Sequence, residues 1–126
     1  MKDGKPRILL VDDDVRFTKV TQLVLTDYDI LVENNSALAL ERARELRPDL
    51  ILLDVMMPHF DGGDVAAQIR AEGGMEKVPI VFLTALVTKK ESAGKPLLGG
   101  YPFIAKPVTP KVLAENIEKH LAESAA

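Results

Sequence analysis

Polar residues stand directly after four apolar runs of the sequence. They are Asp12, Asp13 and Asp14 after ILLV, Asp54 after LILL, Thr84 after PIVFL, and Lys106 after FIA. A carboxylate can attack phosphorus as a nucleophile, and an ammonium or hydroxyl group can neutralise charge on phosphoryl oxygens. Carboxylates that share one site repel one another unless a cation lies among them, and Mg²⁺ prefers oxygen ligands. These residue types fit magnesium-assisted phosphoryl transfer, provided that the fold brings them together.

The apolar runs have the pattern of parallel strands. The candidate strands are Arg7–Val11, Asp29–Glu33, Leu50–Asp54, Val78–Leu83 and Tyr101–Ala105. Their apolar residues stand at consecutive positions, as expected for strands covered by helices on both faces, and segments of helical periodicity separate them. In a parallel α/β sheet, ligands bind beyond the carboxyl ends of the strands. The polar residues after the first, third, fourth and fifth strands are therefore expected at one edge of the sheet.

The segments between the strands predict helices with recognisable ends. The first is expected from about Val15 to Thr26 after an N-cap at Asp14, the second after a cap at Ser36 and before Pro48, the third from about Asp64 to Glu72, and the last after Thr109 and Pro110. The inward faces are predicted to carry Phe17, Val20, Leu23 and Val24 in the first helix, and Val112, Leu113, Ile117 and Leu121 in the last. A fourth helical segment, at about 88–98, contains Gly94 and Pro96 and is expected to be short, broken or mobile.

Composition excludes several classes of protein. The chain has 126 residues, of which 47% are hydrophobic and 28% charged, as is typical of one globular domain. A net charge of −3 argues against nucleic acid as a direct partner, since phosphate backbones select clustered Lys and Arg. Without cysteine, disulfides and thiolate metal sites are excluded. No apolar stretch reaches the roughly 20 residues of a membrane span and no signal peptide is apparent, so a cytoplasmic protein with no membrane partner is expected.

Each polar residue taken alone has an explanation that carries no function. An aspartate after a strand more often caps a helix or forms a turn, and a single lysine is usually a solvated surface charge. A threonine such as Thr84 is usually a strand former with a satisfied hydroxyl. The functional interpretation therefore depends on the coincidence of these residues at the ends of four strands.

Four stretches of the chain resemble the receiver domain of two-component response regulators. They are ILLVDDD (8–14), DLILLDVMMPHFDGG (49–63), PIVFLTA (79–85) and FIAKP (103–107). The resemblance covers about residues 7–122 and implies a single domain, residues 1–126, with a flavodoxin-like, doubly wound α/β fold. Five parallel strands in the order 2-1-3-4-5 would then have helices on both faces. The implied role is phosphorelay signalling, with a sensor histidine kinase or a phosphotransfer protein as the partner and the downstream target left open.

The resemblance also assigns the metal and phosphoryl chemistry to particular residues. Asp54 would be the phosphoacceptor. Mg²⁺ would bind Asp13 and Asp54 directly, together with the backbone carbonyl of Met56, and would reach Asp12 through water. Lys106 would contact the phosphoryl group. The implied protein is a phosphoacceptor and not an enzyme acting on a separate substrate.

A second set of residues would pass the signal on. Thr84 resembles the family's switch hydroxyl, and Phe103 matches its aromatic switch position; the alternative is that Phe103 simply covers the edge of the sheet. The Lys106–Pro107 bond is similar to one that is commonly cis in the family, although an X-Pro bond is trans by default. The segment KKESAGKPLLGGYP (89–102) departs from the family's usual helical pattern, which leaves the output face open.

Three other classes of protein share part of this pattern. A phosphatase of the haloacid-dehalogenase type would need a second acid two residues after the nucleophile, where this chain has Met56. A flavodoxin-like cofactor module would need a Gly/Ser/Thr-rich loop after the first strand, whereas Asp12–Asp14 would repel a flavin phosphate. A degenerate receiver that serves only as a protein-binding scaffold stays open until phosphorylation is assayed.

The residues at positions 56 and 86 predict slow loss of the phosphoryl group. Met56 and Leu86 are expected near the path of an attacking water, and neither side chain can orient that water through a hydrogen bond. Replacing either with Glu or Gln should shorten the lifetime of the phosphorylated protein, measured by following its decay after removal of the phosphodonor. An unchanged decay rate would contradict the hypothesis.

Overall fold

The computed structural model describes residues 4–55, 62–84, 97–98 and 101–125. Its strands are β1 (Arg7–Val11), β2 (Asp29–Glu33), β3 (Leu50–Asp54), β4 (Ile80–Thr84), β5 (Leu97–Leu98) and β6 (Tyr101–Ala105). Its helices are α1 (Val15–Val24), α2 (Ala39–Leu46), α3 (Gly62–Arg70) and the C-terminal α4 (Pro110–Ala125), and a 3₁₀ turn (Ser36–Leu38) precedes α2. Strands and helices thus alternate through most of the described chain.

The strands form one sheet in the order β2-β1-β3-β4-β6-β5. All neighbours from β2 to β6 are parallel, whereas the two-residue β5 pairs with β6 in the antiparallel sense. Since β6 is the fifth strand expected from the sequence, the predicted parallel order 2-1-3-4-5 is confirmed, and β5 is an addition at the edge. Of the expected fourth helical segment, only Leu97 and Leu98 lie within the described residues, and there they form a strand.

Helices cover both faces of the sheet because side chains alternate between the two faces of a strand. One core lies against α1 and α4 and includes Leu10, Leu52, Leu83, Leu113 and Ile117. The other lies against α2 and α3 and includes Leu9, Leu53, Phe82, Ala43 and Ile69. Every residue of β3 and β4 is buried, which explains why these strands read as unbroken apolar runs. This is the expected doubly wound architecture.

Two of the predicted helix starts are confirmed by their capping bonds. The Asp14 carboxylate accepts a hydrogen bond from the backbone N–H of Phe17 at 3.1 Å. At the start of α4 the Thr109 hydroxyl accepts from the N–H of Val112 at 3.3 Å, with Pro110 as the first helical residue. Each bond satisfies an N–H group that the first turn of a helix leaves without a partner.

Of the four residues predicted on the inward face of α1, Phe17 packs against the core as expected, but the prediction is wrong for the other three. Val20, Leu23 and Val24 are 49%, 66% and 54% exposed, whereas Thr18 and Thr21 are buried. The two threonine hydroxyls donate to backbone carbonyls one turn earlier, at 3.1 and 2.8 Å, and so enter the interior with their hydrogen bonds made. The spacing of apolar residues predicted the wrong face because it does not show that a buried threonine hydroxyl can form its hydrogen bond within the helix.

Smaller corrections concern the ends of elements and two side chains. Asn35, not Ser36, provides the cap before α2, since its side chain accepts from the N–H of Ala37. Val112, expected inside, is 43% exposed. The sequence alone predicts His120, on the last helix, at the surface, but its side chain is only 12% exposed. The strand β4 and the helices α1 and α3 begin or end about two residues from their predicted limits. Among the described residues, no helix is both long and apolar enough to cross a membrane.

A pair of leucine substitutions tests the observed helix faces. Leu113 in α4 is fully buried, whereas Leu23 in α1 is 66% exposed. Leu113→Ala should lower the free energy of unfolding by about 2–5 kcal/mol, because it leaves a cavity in the core. Leu23→Ala should change it by less than about 0.5 kcal/mol, both measured by urea denaturation. Equal losses from the two substitutions would contradict the assigned faces.

Candidate functional site

The carboxyl ends of three parallel strands bring the predicted site residues to one edge of the sheet. Asp12 follows β1 directly, Asp54 is the last residue of β3, and Thr84 is the last residue of β4. All three are buried, with 0%, 2% and 0% of their surface exposed. Lys106 follows β6, and its backbone N–H donates to the carbonyl of Thr84 at 2.9 Å, which extends the β4–β6 pairing by one bond.

Three carboxylates converge at this edge. Asp12, Asp13 and Asp54 each place one oxygen so that the three oxygens lie within 4.8 Å of one another. Asp12 and Asp54 are buried, whereas Asp13 is exposed and opens the cluster to solvent. Hard divalent cations such as Mg²⁺ take carboxylate oxygens of this kind, and they keep water in their remaining positions. The donor set therefore fits a magnesium site with an accessible side.

Lys106 lies between the two buried carboxylates. Its Nζ is 2.6 Å from Oδ2 of Asp12 and 3.3 Å from Oδ2 of Asp54, and the side chain is 19% exposed. The closer pair has the length of a strong charge-assisted hydrogen bond, whereas the pair with Asp54 is longer and weaker. One ammonium thus compensates two buried anions while being tied mainly to Asp12. The Lys106–Pro107 bond is cis, as the family resemblance suggested.

The electrostatics of the site are dominated by burial. Burial raises the pKa of Asp12 to about 6, although hydrogen bonds from Lys106 and from the N–H of Asp14 oppose the increase. For Lys106, burial acts to lower the pKa, but the hydrogen bond to Asp12 and the charges of Asp12 and Asp54 outweigh it and leave the pKa raised. The lysine therefore stays cationic, while burial and the neighbouring Asp54 favour the protonated form of Asp12.

Two neighbouring residues hold Asp12 in place, and one of them, Asn34, was not predicted from the sequence. The Asn34 amide donates to the backbone carbonyl of Asp12 at 2.7 Å and to the hydroxyl of Thr18 at 3.0 Å. The N–H of Asp14 donates to Oδ1 of Asp12 at 2.9 Å. The other site residues were predicted as polar residues at strand ends. Asn34 follows β2 directly, so the same rule could have predicted it.

Thr84 and Phe103 lie on the same face of neighbouring strands. Thr84 pairs in register with Ala105, and Phe103 stands two residues before Ala105 on β6. Phe103 is half-buried and packs against the core on the α2 and α3 side. The structure therefore brings the two predicted switch residues to adjacent strands. Met56 and Leu86, predicted to lie near the metal and the attacking water, are outside the described residues.

A family model described as the response regulator receiver domain matches residues 8–118. The chain belongs to this family. The matched range contains four of the five parallel strands, all of β1 except Arg7, and every site residue predicted from the sequence. The chain is therefore a receiver domain of a two-component response regulator, with a cluster of acidic residues that could bind a metal.

Curated relatives extend beyond the part that this chain matches. A protein named DNA-binding response regulator MtrA, from Mycobacterium tuberculosis, is 39% identical over 123 residues, which cover 96% of this chain and 53% of the relative. A probable transcriptional regulator named ycf27, from Porphyra purpurea, is 34% identical and is covered to 49% of its length. The chain thus spans about half the length of these relatives.

Solved structures share the fold. A response regulator from Desulfuromonas acetoxidans matches with a TM-score of 0.78 and 29% identity, covering 92% of this chain and 96% of that one. A CheY-like receiver domain protein from Methanospirillum hungatei matches with a TM-score of 0.80 over 97% of this chain and 98% of that one. At 24% identity the second likeness concerns the fold alone.

The raised pKa of Asp12 predicts a pH window in stability. An unfolded Asp12 loses its proton near the ordinary pKa of 3.8, whereas the folded carboxyl keeps it up to about 6. Between these values the folded state binds more protons, so this group lowers the stability of the wild type as the pH rises. In EDTA, the free energy of unfolding of Asp12→Asn minus that of the wild type should increase on the order of 1–3 kcal/mol across this window, then level off. Urea denaturation at a series of pH values measures it, and a flat or falling difference would contradict the assignment.

Proposed function

We propose that this receiver domain accepts a phosphoryl group on Asp54 in a Mg²⁺-dependent reaction. The observation that carries the proposal is the position of Lys106, whose ammonium bridges the buried carboxylates of Asp12 and Asp54 beside the exposed Asp13. A nucleophilic carboxylate, a candidate metal cluster and a cation for phosphoryl oxygens therefore occupy one edge of the sheet. This combination is what phosphoryl transfer to an aspartate requires.

In the proposed reaction an oxygen of Asp54 forms a bond to phosphorus. The bond from phosphorus to the leaving group breaks, and the leaving group departs with its electron pair. The leaving group is the imidazole of a phosphohistidine, or acetate when acetyl phosphate is the donor. An imidazole leaving group takes up a proton from solvent, whereas acetate departs as the anion. Bound Mg²⁺ would supply charge neutralisation, held by Asp13 and Asp54, by the backbone carbonyl of Met56, and by Asp12 through water.

Lys106 is placed to stabilise the negative charge on the phosphoryl group after its transfer to Asp54. Its contact with Asp54 is the longer of its two, at 3.3 Å, whereas its contact with Asp12 is 2.6 Å. Once the carboxylate becomes an acyl phosphate, the ammonium can exchange the Asp54 oxygen for a phosphoryl oxygen while Asp12 keeps the lysine in place. The cation is thus already present where negative charge accumulates, which is the condition for electrostatic stabilisation without reorganisation.

The relay proposed for the phosphorylated state uses Thr84 and Phe103. The Thr84 hydroxyl, at the end of β4, would turn towards the phosphoryl group, and Phe103 would repack on the same face of β6. We propose that a sensor histidine kinase or a phosphotransfer protein is the donor in the cytoplasm. The domain would lose the group slowly and would not act as an enzyme on another substrate.

A relative that this chain matches over 53% of the relative's length is named a DNA-binding response regulator. We propose that this domain carries the phosphorylation step and does not contact DNA itself, because its net charge is −3 and DNA selects clustered cations. The output would then belong to another domain or another protein, and its identity stays open.

Intact-mass spectrometry after incubation with acetyl phosphate and Mg²⁺ tests the proposal. Wild type should gain one phosphoryl group, and Asp54→Asn should gain none because the nucleophilic oxygen is lost. Asp29→Asn is the matched control, since Asp29 is an exposed aspartate at the opposite end of the sheet, and it should behave as the wild type. Omitting Mg²⁺ or adding EDTA should abolish the reaction.

The same experiment separates the alternative function. A folded wild-type protein that gains no phosphoryl group under these conditions would contradict phosphoacceptance and would favour a receiver that acts only as a protein-binding scaffold. Phosphorylation that persists in Asp54→Asn would leave the family intact but would show that the acceptor residue has been assigned wrongly.

A further inference from the structure

The ammonium of Lys106 has a third neighbour besides the two carboxylates. Its Nζ lies 4.9 Å from the centroid of the Phe17 ring, within the range of a cation–π interaction. The electron-rich face of the ring attracts the cation and keeps water from that side of it. The lysine is therefore held by Asp12 and Asp54 on one side and by an aromatic face on another.

A cavity beside Lys106 gives its side chain an alternative position, so the contact with Phe17 can affect where the ammonium lies. A cavity of about 250 Å³ is lined by Phe17, Lys106, Pro107, Val108 and Asp14. A lysine side chain is flexible, and this cavity offers it both room and another carboxylate, that of Asp14. Phe17 both lines this cavity and lies against the ammonium of Lys106. Removal of the ring would both weaken the attraction and enlarge the alternative space.

Phe17 is itself firmly placed. Its backbone N–H donates to the Asp14 carboxylate at 3.1 Å, and its carbonyl accepts from the Thr21 hydroxyl at 2.8 Å. Its ring packs against the core on the α1 and α4 side. The ring is thus a fixed surface on which a mobile cation can be oriented.

We propose that Phe17 is a positioning residue for Lys106, and that its ring face keeps the ammonium directed at Asp12 and Asp54 for phosphoryl transfer. The proposal rests on the proposed function and adds to it a residue that is not among the proposed metal ligands or phosphoryl contacts. It predicts that the rate of phosphorylation follows the electron density of the ring and not merely its size.

Graded fluorination of the Phe17 ring tests this directly. Stepwise replacement with singly, doubly and fully fluorinated phenylalanine keeps the shape nearly constant while it weakens the attraction for a cation. The rate of phosphorylation by acetyl phosphate at saturating Mg²⁺ should fall stepwise, by about three- to tenfold at the end of the series. Phe17→Leu should show a similar loss, and Phe17→Trp should restore much of the rate. The same fluorinated residue at Phe82, which is buried in the opposite core, is the control and should leave the rate unchanged.

A spectroscopic measurement reports the contact without the reaction. In the wild type the ring current of Phe17 should shift the NMR signals of the Lys106 side-chain protons next to Nζ, and Phe17→Leu should remove that shift while thermal unfolding shows that the protein is still folded. A loss of rate without this change in the spectrum would indicate a purely structural effect and would overturn the proposal.

The outcomes also separate this proposal from the function on which it rests. If the wild type is phosphorylated at Asp54 but the fluorinated series is flat, the role of Phe17 is wrong and the proposed function stands. If the wild type is not phosphorylated at all, the proposed function and the role of Phe17 in it are both wrong. A stepwise fall in rate together with loss of the ring-current shift supports both.

Discussion

Repulsion between carboxylates at the ends of parallel strands is the constraint on which the rest of the structure depends. The topology that buries β1 and β3 inside the sheet also carries Asp12 and Asp54 into a region where water cannot screen them. A buried charge without a partner costs several kcal/mol, so the fold needs a cation at this edge. Lys106 provides it, which makes the pairing of β6 with β4 a requirement of the site as well as of the sheet.

One lysine does not fully balance this cluster, and the imbalance has a chemical meaning. Burial raises the pKa of Asp12 to about 6, so the ionised form of this carboxylate is unfavourable in the folded state. A divalent cation beside the exposed Asp13 would favour the ionised form, and a phosphoryl group would then be drawn to the combined positive charge. Asn34 ties the backbone of Asp12 to the end of β2 and to α1 through its hydrogen bonds to the Asp12 carbonyl and the Thr18 hydroxyl. The ionised Asp12 thus lowers the stability of the folded protein at the position where phosphoryl transfer is proposed. Shifted pKa values are common at functional sites.

The positions of the site residues could be predicted from the sequence because strand ends in a parallel sheet obey one rule. An unbroken apolar run marks a strand buried on both faces, and the first polar residue after it marks the edge where ligands bind. Helix faces follow no such rule. In α1, Thr18 and Thr21 can be buried because each hydroxyl donates a hydrogen bond to a backbone carbonyl within the helix, whereas Leu23 is exposed. Neither result can be predicted from the spacing of apolar residues. The role of Asn34 was not predicted because an asparagine after a strand is also typical of a turn.

Burial along the sheet restricts how a phosphoryl group on Asp54 could be sensed elsewhere. The five residues of β4 are all buried, so their side chains are locked by packing and a rearrangement within that strand would disturb both cores. Four of the five residues of β6 are only partly buried, and Phe103 is among them. A rearrangement that begins at Thr84, at the end of β4, would therefore move side chains only where they are less tightly packed. Such side chains lie on the next strand towards the edge of the sheet. The neighbouring strand β6 is the first place where that condition is met, which is the physical reason to expect the relay there.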